Sequence, residues 1–154
     1  MAQEIERKFL VTGDGWRGLG RSFAFRQGYL STVKERTVRV RAVGDRGFLT
    51  VKGITSGATR TEFEYQIPVA DAEAMLHELC ERPIIEKRRH VVEHEGLVWE
   101  IDEFGGVNEG LIVAEVELEA ADQDIPLPEW AGAEVTDDPR YFNANLIARP
   151  YSEW

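Results

Sequence analysis

The stretch EIERKFLV (residues 4–11) places Glu4, Glu6 and Lys8 at every second position, with Ile5, Arg7, Phe9 and Val11 beside them. Side chains of a strand alternate between two faces, so the two acids and the lysine share one side. The pattern recurs. Arg39 with Arg41, Lys52 with Thr50, Arg60 with Glu62 and Glu64, Lys87 with Arg89, and Glu115 with Glu117 each share a strand face, and Asp102 lies opposite Ile101. Paired carboxylates suit a hard divalent cation, which takes several oxygen ligands. Paired cations suit a polyanion, Arg offering forked contacts to phosphate oxygens and Lys a point charge. A metal-bound polyphosphate satisfies both sets.

The elements that must position these residues are mainly strands. ERTVRVRA (35–42), FLTVKG (48–53), TRTEFEYQI (59–67), IEKRRHVV (85–92), LVWEID (97–102) and LIVAEVELE (111–119) alternate and are rich in β-formers. Turn signals such as VGDRG, ITSGA, EHEG and EFGG separate them, which points to an antiparallel sheet. FAFRQGYLS (23–31) is a further strand, interrupted or bulged at Gly28. PVADAEAMLHELCE (68–81) has helical spacing, with Asp71 as its candidate cap and Pro83 beyond it. DDPRYFNANLIA (137–148) is a second candidate helix, capped by Asp138 with Pro139 at its first position, and DIPLPEWAGAE is an irregular connection.

Alternation alone also fits a two-sheet sandwich with charge on its outer faces. Close groups of like charge argue for the other arrangement, because they repel unless a partner of opposite sign faces them. A closed barrel of about eight strands encloses room for one small ligand. Its apolar faces then point outward and need cover from the helices and the Pro-rich connection.

Several chemistries are excluded or disfavoured. Cys80 is the single cysteine of the 154 residues, so no internal disulfide and no cysteine-based zinc site can form. His90 and His94 have the spacing of a helical zinc pair, but on a strand four residues span about 13 Å, too far to chelate one ion. GDGWRG matches G-x-G-x-x-G literally, yet it follows a charged strand and precedes another strand, so it is expected to be a surface loop. A net charge of −10 disfavours binding to a nucleic-acid backbone. No apolar run is long enough for a membrane span, and the early Glu4 and Glu6 do not suit a secretory leader, so a single cytoplasmic domain spanning 1–154 is expected.

Glu4-x-Glu6-x-Lys8 resembles the E-x-E-x-K signature of the CYTH superfamily, the triphosphate tunnel metalloenzymes. The resemblance continues in order through Arg39 and Arg41, Lys52, Arg60 with Glu62 and Glu64, Lys87 and Arg89, Asp102, Glu115 with Glu117, and YFNANLIA. It implies an eight-stranded antiparallel tunnel, open at both ends, that binds a triphosphate chain with Mg²⁺ or Mn²⁺. The short bacterial members it resembles most are often inorganic triphosphatases; other members are thiamine and RNA triphosphatases and class IV adenylate cyclases. On that likeness Lys8, Arg39, Arg41, Lys52, Arg60, Lys87 and Arg89 are candidate substrate ligands. Glu4, Glu6, Glu62, Glu64, Asp102, Glu115 and Glu117 are candidate metal ligands, and Lys8, Tyr29, Glu6 and Glu117 candidate catalytic residues. Phe142 stands where similar proteins can carry a lysine. Cyclisation of ATP, hydrolysis of an organic triphosphate, and non-catalytic polyphosphate binding are the alternatives; the oligomeric state stays open.

Overall fold

The computed structural model describes residues 3–154. Its strands are β1 (Gln3–Val11), β2 (Arg21–Ser31), β3 (Thr37–Val43), β4 (Arg46–Lys52), β5 (Thr59–Ile67), β6 (Ile85–His94), β7 (Leu97–Phe104), β8 (Ile112–Glu117) and β9 (Ala131–Glu134). Neighbours run β5-β4-β3-β2-β6-β7-β8-β1, and β5 pairs back to β1, which closes an antiparallel barrel of eight strands. The pairing of Glu4 with Arg60 makes that closure, and β9 continues along the same edge of β1 beyond it, with Glu134 opposite Phe9. Closure leaves the barrel strands one inner and one outer face, as alternation demands.

The outer apolar faces are covered by the connections. Trp16, from the Gly-rich loop after β1, is fully buried with Phe9, Trp99, Ile101, Ala114, Val116 and Trp130. That loop therefore acts as a wall covering: Trp16 Nε1 donates to the Gly13 carbonyl at 3.0 Å, and its ring meets His90 edge-on. His90 lies on this outer face beside Glu103, while His94 lies beside Glu95. The helix α1 (Val69–Glu78) buries Ala72 and Leu76 against Val40, Ala42 and Cys80. Gly28 permits this approach, since a Cβ there would lie 2.8 Å from Cys80 Cβ and 2.9 Å from Ile84 Cδ1. Gly28 itself stays paired with Val40; the register shifts one step later, between Tyr29 and Ser31.

Four local expectations change. Asp71 does not cap α1: Pro68 occupies the cap position without a side-chain bond, and Asp71 lies within the first turn. The helix expected over 137–148 is broken into a 3₁₀ turn at Pro139–Tyr141, which Asp138 does cap, and one turn, α2, at Asn145–Ala148. The connection expected to be irregular contains β9, whose Glu134 pairs with Arg7 through Nε at 2.8 Å and Nη2 at 2.6 Å. Arg7 thus gains a forked partner on the outer face. Finally, one end of the barrel is not freely open, because Tyr141, Leu146 and Ile147 pack onto Tyr29, Ile85, Phe104 and Val113. Apolar side chains at that rim need cover, and the C-terminal segment supplies it. Among the described residues no helix is long and apolar enough to cross a membrane.

Candidate active site

The inner face of the barrel lines a cavity of about 250 Å³. It brings together Glu4, Glu6, Lys8, Tyr29, Arg39, Arg41, Lys52, Arg60, Glu62, Glu64, Lys87, Arg89, Glu115 and Glu117. Asp102 is the exception. It lies behind the lining, 1% exposed, and holds Lys87 Nζ at 2.7 Å, Arg89 Nε at 2.8 Å and Arg89 Nη2 at 2.9 Å.

Strand register decides which charges meet. Lys8 faces Glu115, Lys52 faces Glu62, and Arg89 faces Asp102, all opposite in sign. Glu6 faces Glu117 and Glu100 faces Glu115, pairings of like charge that cost energy unless compensated. Lys8 Nζ lies 3.2 Å from Glu115 and 3.6 Å from Glu6, and Lys52 Nζ is 3.1 Å from both Glu4 and Glu62. Arg39 Nη2 reaches Thr50 at 3.1 Å and Glu64 at 3.4 Å. Arg60 donates to the Gly53 carbonyl at 2.7 Å and to Thr37 at 3.0 Å, so it also ties the base of the β4–β5 loop.

The electrostatics are uneven. Burial, helped by Glu115 and Glu4, pushes the Glu6 carboxyl up to about 8. Burial also raises Glu4, Glu100 and Glu117, with Glu4 itself a further cause at Glu117. Glu115 is buried too, yet Lys8, Arg89 and Lys87 hold it well below the usual carboxylate range. Burial lowers Lys87 to about 7, and Arg89 and Arg41 add to this against the pull of Asp102. The raised acids mark a region where burial outweighs the neighbouring cations.

A divalent cation fits that region by donor chemistry, since its raised acids offer carboxylate oxygens. Glu4, Glu6, Glu100 and Glu117 could hold one. Among the described residues no three acidic, histidine or cysteine side chains converge as a ready-made cage, so phosphate and water oxygens would complete its shell.

Sequence patterns missed several participants. Glu100 and Asp102 lie two apart on one strand, the same signal used elsewhere, yet LVWEID was read only for Asp102. Gln27 shares the face of Tyr29 but is neutral. Asn143, Phe142 and Thr136 line the cavity from the C-terminal segment, where no periodicity announces them. Phe142 places its ring 5.8 Å from Lys8 Nζ.

A closed antiparallel tunnel lined by opposed acids and bases defines a polyanion-binding β-barrel. The chain belongs to the CYTH domain family, which it matches over residues 2–151. It is 49% identical over 154 residues to the inorganic triphosphatase of Acetivibrio thermocellus, covering 100% of this chain and 99% of that one. It is 40% identical over 150 residues to the inorganic triphosphatase of Nitrosomonas europaea, covering 93% and 95%. A crystal structure of an inorganic triphosphatase superposes with a TM-score of 0.67 at 37% identity, covering 96% of this chain and 95% of that one. A Hippeastrum protein described as an adenylyl cyclase with dominant triphosphatase activity shares the fold, with a TM-score of 0.58 at 15% identity and coverage of 76% and 80%.

Proposed function

We propose that this chain hydrolyses inorganic triphosphate to diphosphate and phosphate, assisted by Mg²⁺ or Mn²⁺. The observation that carries this reading is the meeting of a cationic wall and an electron-rich carboxylate wall in one cavity of about 250 Å³, a space suited to a compact polyanion. Arg39, Arg41, Lys87 and Arg89, with Lys8, Lys52 and Arg60, hold the phosphate oxygens and neutralise charge as the terminal phosphoryl group leaves. Water attacks the terminal phosphorus, the bond to the bridging oxygen breaks, and a carboxylate of the Glu6–Glu117 pair takes the proton from water. Tyr29 faces the same space and orients the terminal phosphate. A divalent ion on Glu4, Glu6, Glu100 or Glu117, with Glu62 and Glu64 nearby and Glu115 already held by Lys8, would supply Lewis-acid charge and lower the pKa of bound water. Asp102 takes a supporting part, fixing Lys87 and Arg89. The setting we infer is cytoplasmic, with a small triphosphate as partner.

The test is phosphate release from triphosphate, ATP, thiamine triphosphate and diphosphate, each with Mg²⁺, Mn²⁺ or Ca²⁺ and with excess chelator. Triphosphate should be the best substrate, and chelator should abolish turnover. Cyclic AMP formed from ATP would move the chain to the cyclases. Thermal stabilisation by triphosphate without phosphate release would make it a binding module.

A further inference from the structure

A line of neutral amides joins two of the cavity's cations across four parts of the fold. Arg41 Nε, on β3, donates to Gln27 Oε1 at 3.1 Å. Gln27 Nε2, on β2, donates to Asn143 Oδ1 at 2.8 Å, and the same oxygen accepts from Lys87 Nζ, on β6, at 3.0 Å. The orientation of both amides follows from the ends of the line, because Arg and Lys only donate. Gln27 Oε1 must face Arg41, its nitrogen must then face Asn143, and Asn143 must present its oxygen to both neighbours.

We propose that Gln27 and Asn143 are positioning residues, a neutral pair that aims Arg41 and Lys87 at the phosphate chain without cancelling their charge. The proposal rests on the triphosphatase reading of this cavity. Three observations carry it. Gln27 is 0% exposed, a place where an amide is costly unless both ends are bonded. Arg41 commits only Nε, whereas Arg89 commits Nε and Nη2 to Asp102 and Nη1 to Glu100. The terminal nitrogens of Arg41 have no acceptor among the described residues, which leaves its fork for phosphate. Lys87 likewise binds Asp102 and Asn143 and, as the ammonium, retains a third donor.

A carboxylate at Gln27 would still accept from Arg41 but would neutralise it, and would leave Asn143 Oδ1 without the donor it now has. That difference separates positioning from simple packing. The experiment compares the parent with Gln27→Met, Asn143→Ala, the double variant and Gln27→Glu. It measures the Kd for inorganic triphosphate by calorimetry in excess chelator, kcat and KM with Mg²⁺, and unfolding in denaturant.

Each single replacement should raise Kd and KM by about tenfold, and the double by about tenfold rather than a hundredfold, because the two amides act as one unit. KM should take the loss while kcat changes little, since the cations grip the phosphates in ground and transition states alike. Gln27→Glu should lose some stability, since its carboxylate faces Asn143 Oδ1 without a donor, yet stay folded in the assay and bind triphosphate at least tenfold more weakly, by about 1.4 kcal/mol. Parent-like affinity in Gln27→Glu, or a double variant whose loss is the product of the single losses, would overturn the pair's role. A parent that neither binds nor cleaves triphosphate would overturn the proposed function as well. A parent that does both, with unchanged variants, would sink this inference alone.

Discussion

The two walls of the cavity use the same alternation but are balanced differently. On β3 and β6 the cations meet acceptors supplied by the protein: Asp102 takes both Lys87 and Arg89, Thr50 and Glu64 take Arg39, and Gln27 takes Arg41. On β1 and β8 the acids outnumber their partners, with Glu6 opposite Glu117, and Glu4, Glu6 and Glu117 all held above the usual carboxylate range. One wall is a preorganised clamp; the other is rich in acids, the side on which the proposed ion would sit. The difference shows why the two charge types are not interchangeable devices. A cation must keep its charge for phosphate, so its partners hold its geometry, whereas an acid waiting for metal gains from being left short.

The hardest blow to this contrast falls on the clamp's support. Asp102→Asn would leave Lys87 and Arg89 uncompensated in the interior, where breaking a buried pair costs about 3–5 kcal/mol. Denaturant unfolding should register that loss, and a shift below about 1 kcal/mol would mean that the clamp is not held from behind.

Next is Arg41→Ala, which removes the free fork. It should lower kcat/KM by about 3 kcal/mol, measured by phosphate release, with the fold intact. Unchanged activity would place that face of β3 outside the substrate's reach.

The acid wall responds in the opposite sense. Replacing Glu4 and Glu6 together by Gln should leave stability without ligand within about 1 kcal/mol of the parent, because repulsion is lost along with the contacts to Lys8 and Lys52. The stabilisation expected from Mn²⁺ at a hundred times its Kd, about 2.7 kcal/mol, should vanish. Melting curves with and without the ion check both, and a persistent metal response would move the ion site elsewhere.

The smallest effect belongs outside the barrel. Arg7 and Glu134 form a forked pair at the surface, so Arg7→Ala should cost about 0–1 kcal/mol and leave kcat/KM unchanged. A large kinetic effect there would erase the distinction between inner and outer faces.

Period-two alternation determined by itself which residues of the barrel strands share a face, because the pleat admits only two directions for a side chain. That is why Glu4, Glu6, Lys8, Arg39, Arg41, Lys52, Lys87, Arg89, Glu115 and Glu117 were legible as one charged lining from composition and spacing. Tertiary structure alone decided who faces whom across strands. Asp102 became a buried support because register sets it against Arg89, and Glu6 became a raised acid because the closed barrel buries it beside Glu115 and Glu4. Trp16 became a wall covering, Arg7 found Glu134 on a strand hidden in a Pro-rich connection, and Asn143 reached Gln27 from 116 residues away. Alternation is local and survives in any register, whereas pairing between distant segments depends on how the closed barrel twists and which connections pack over it.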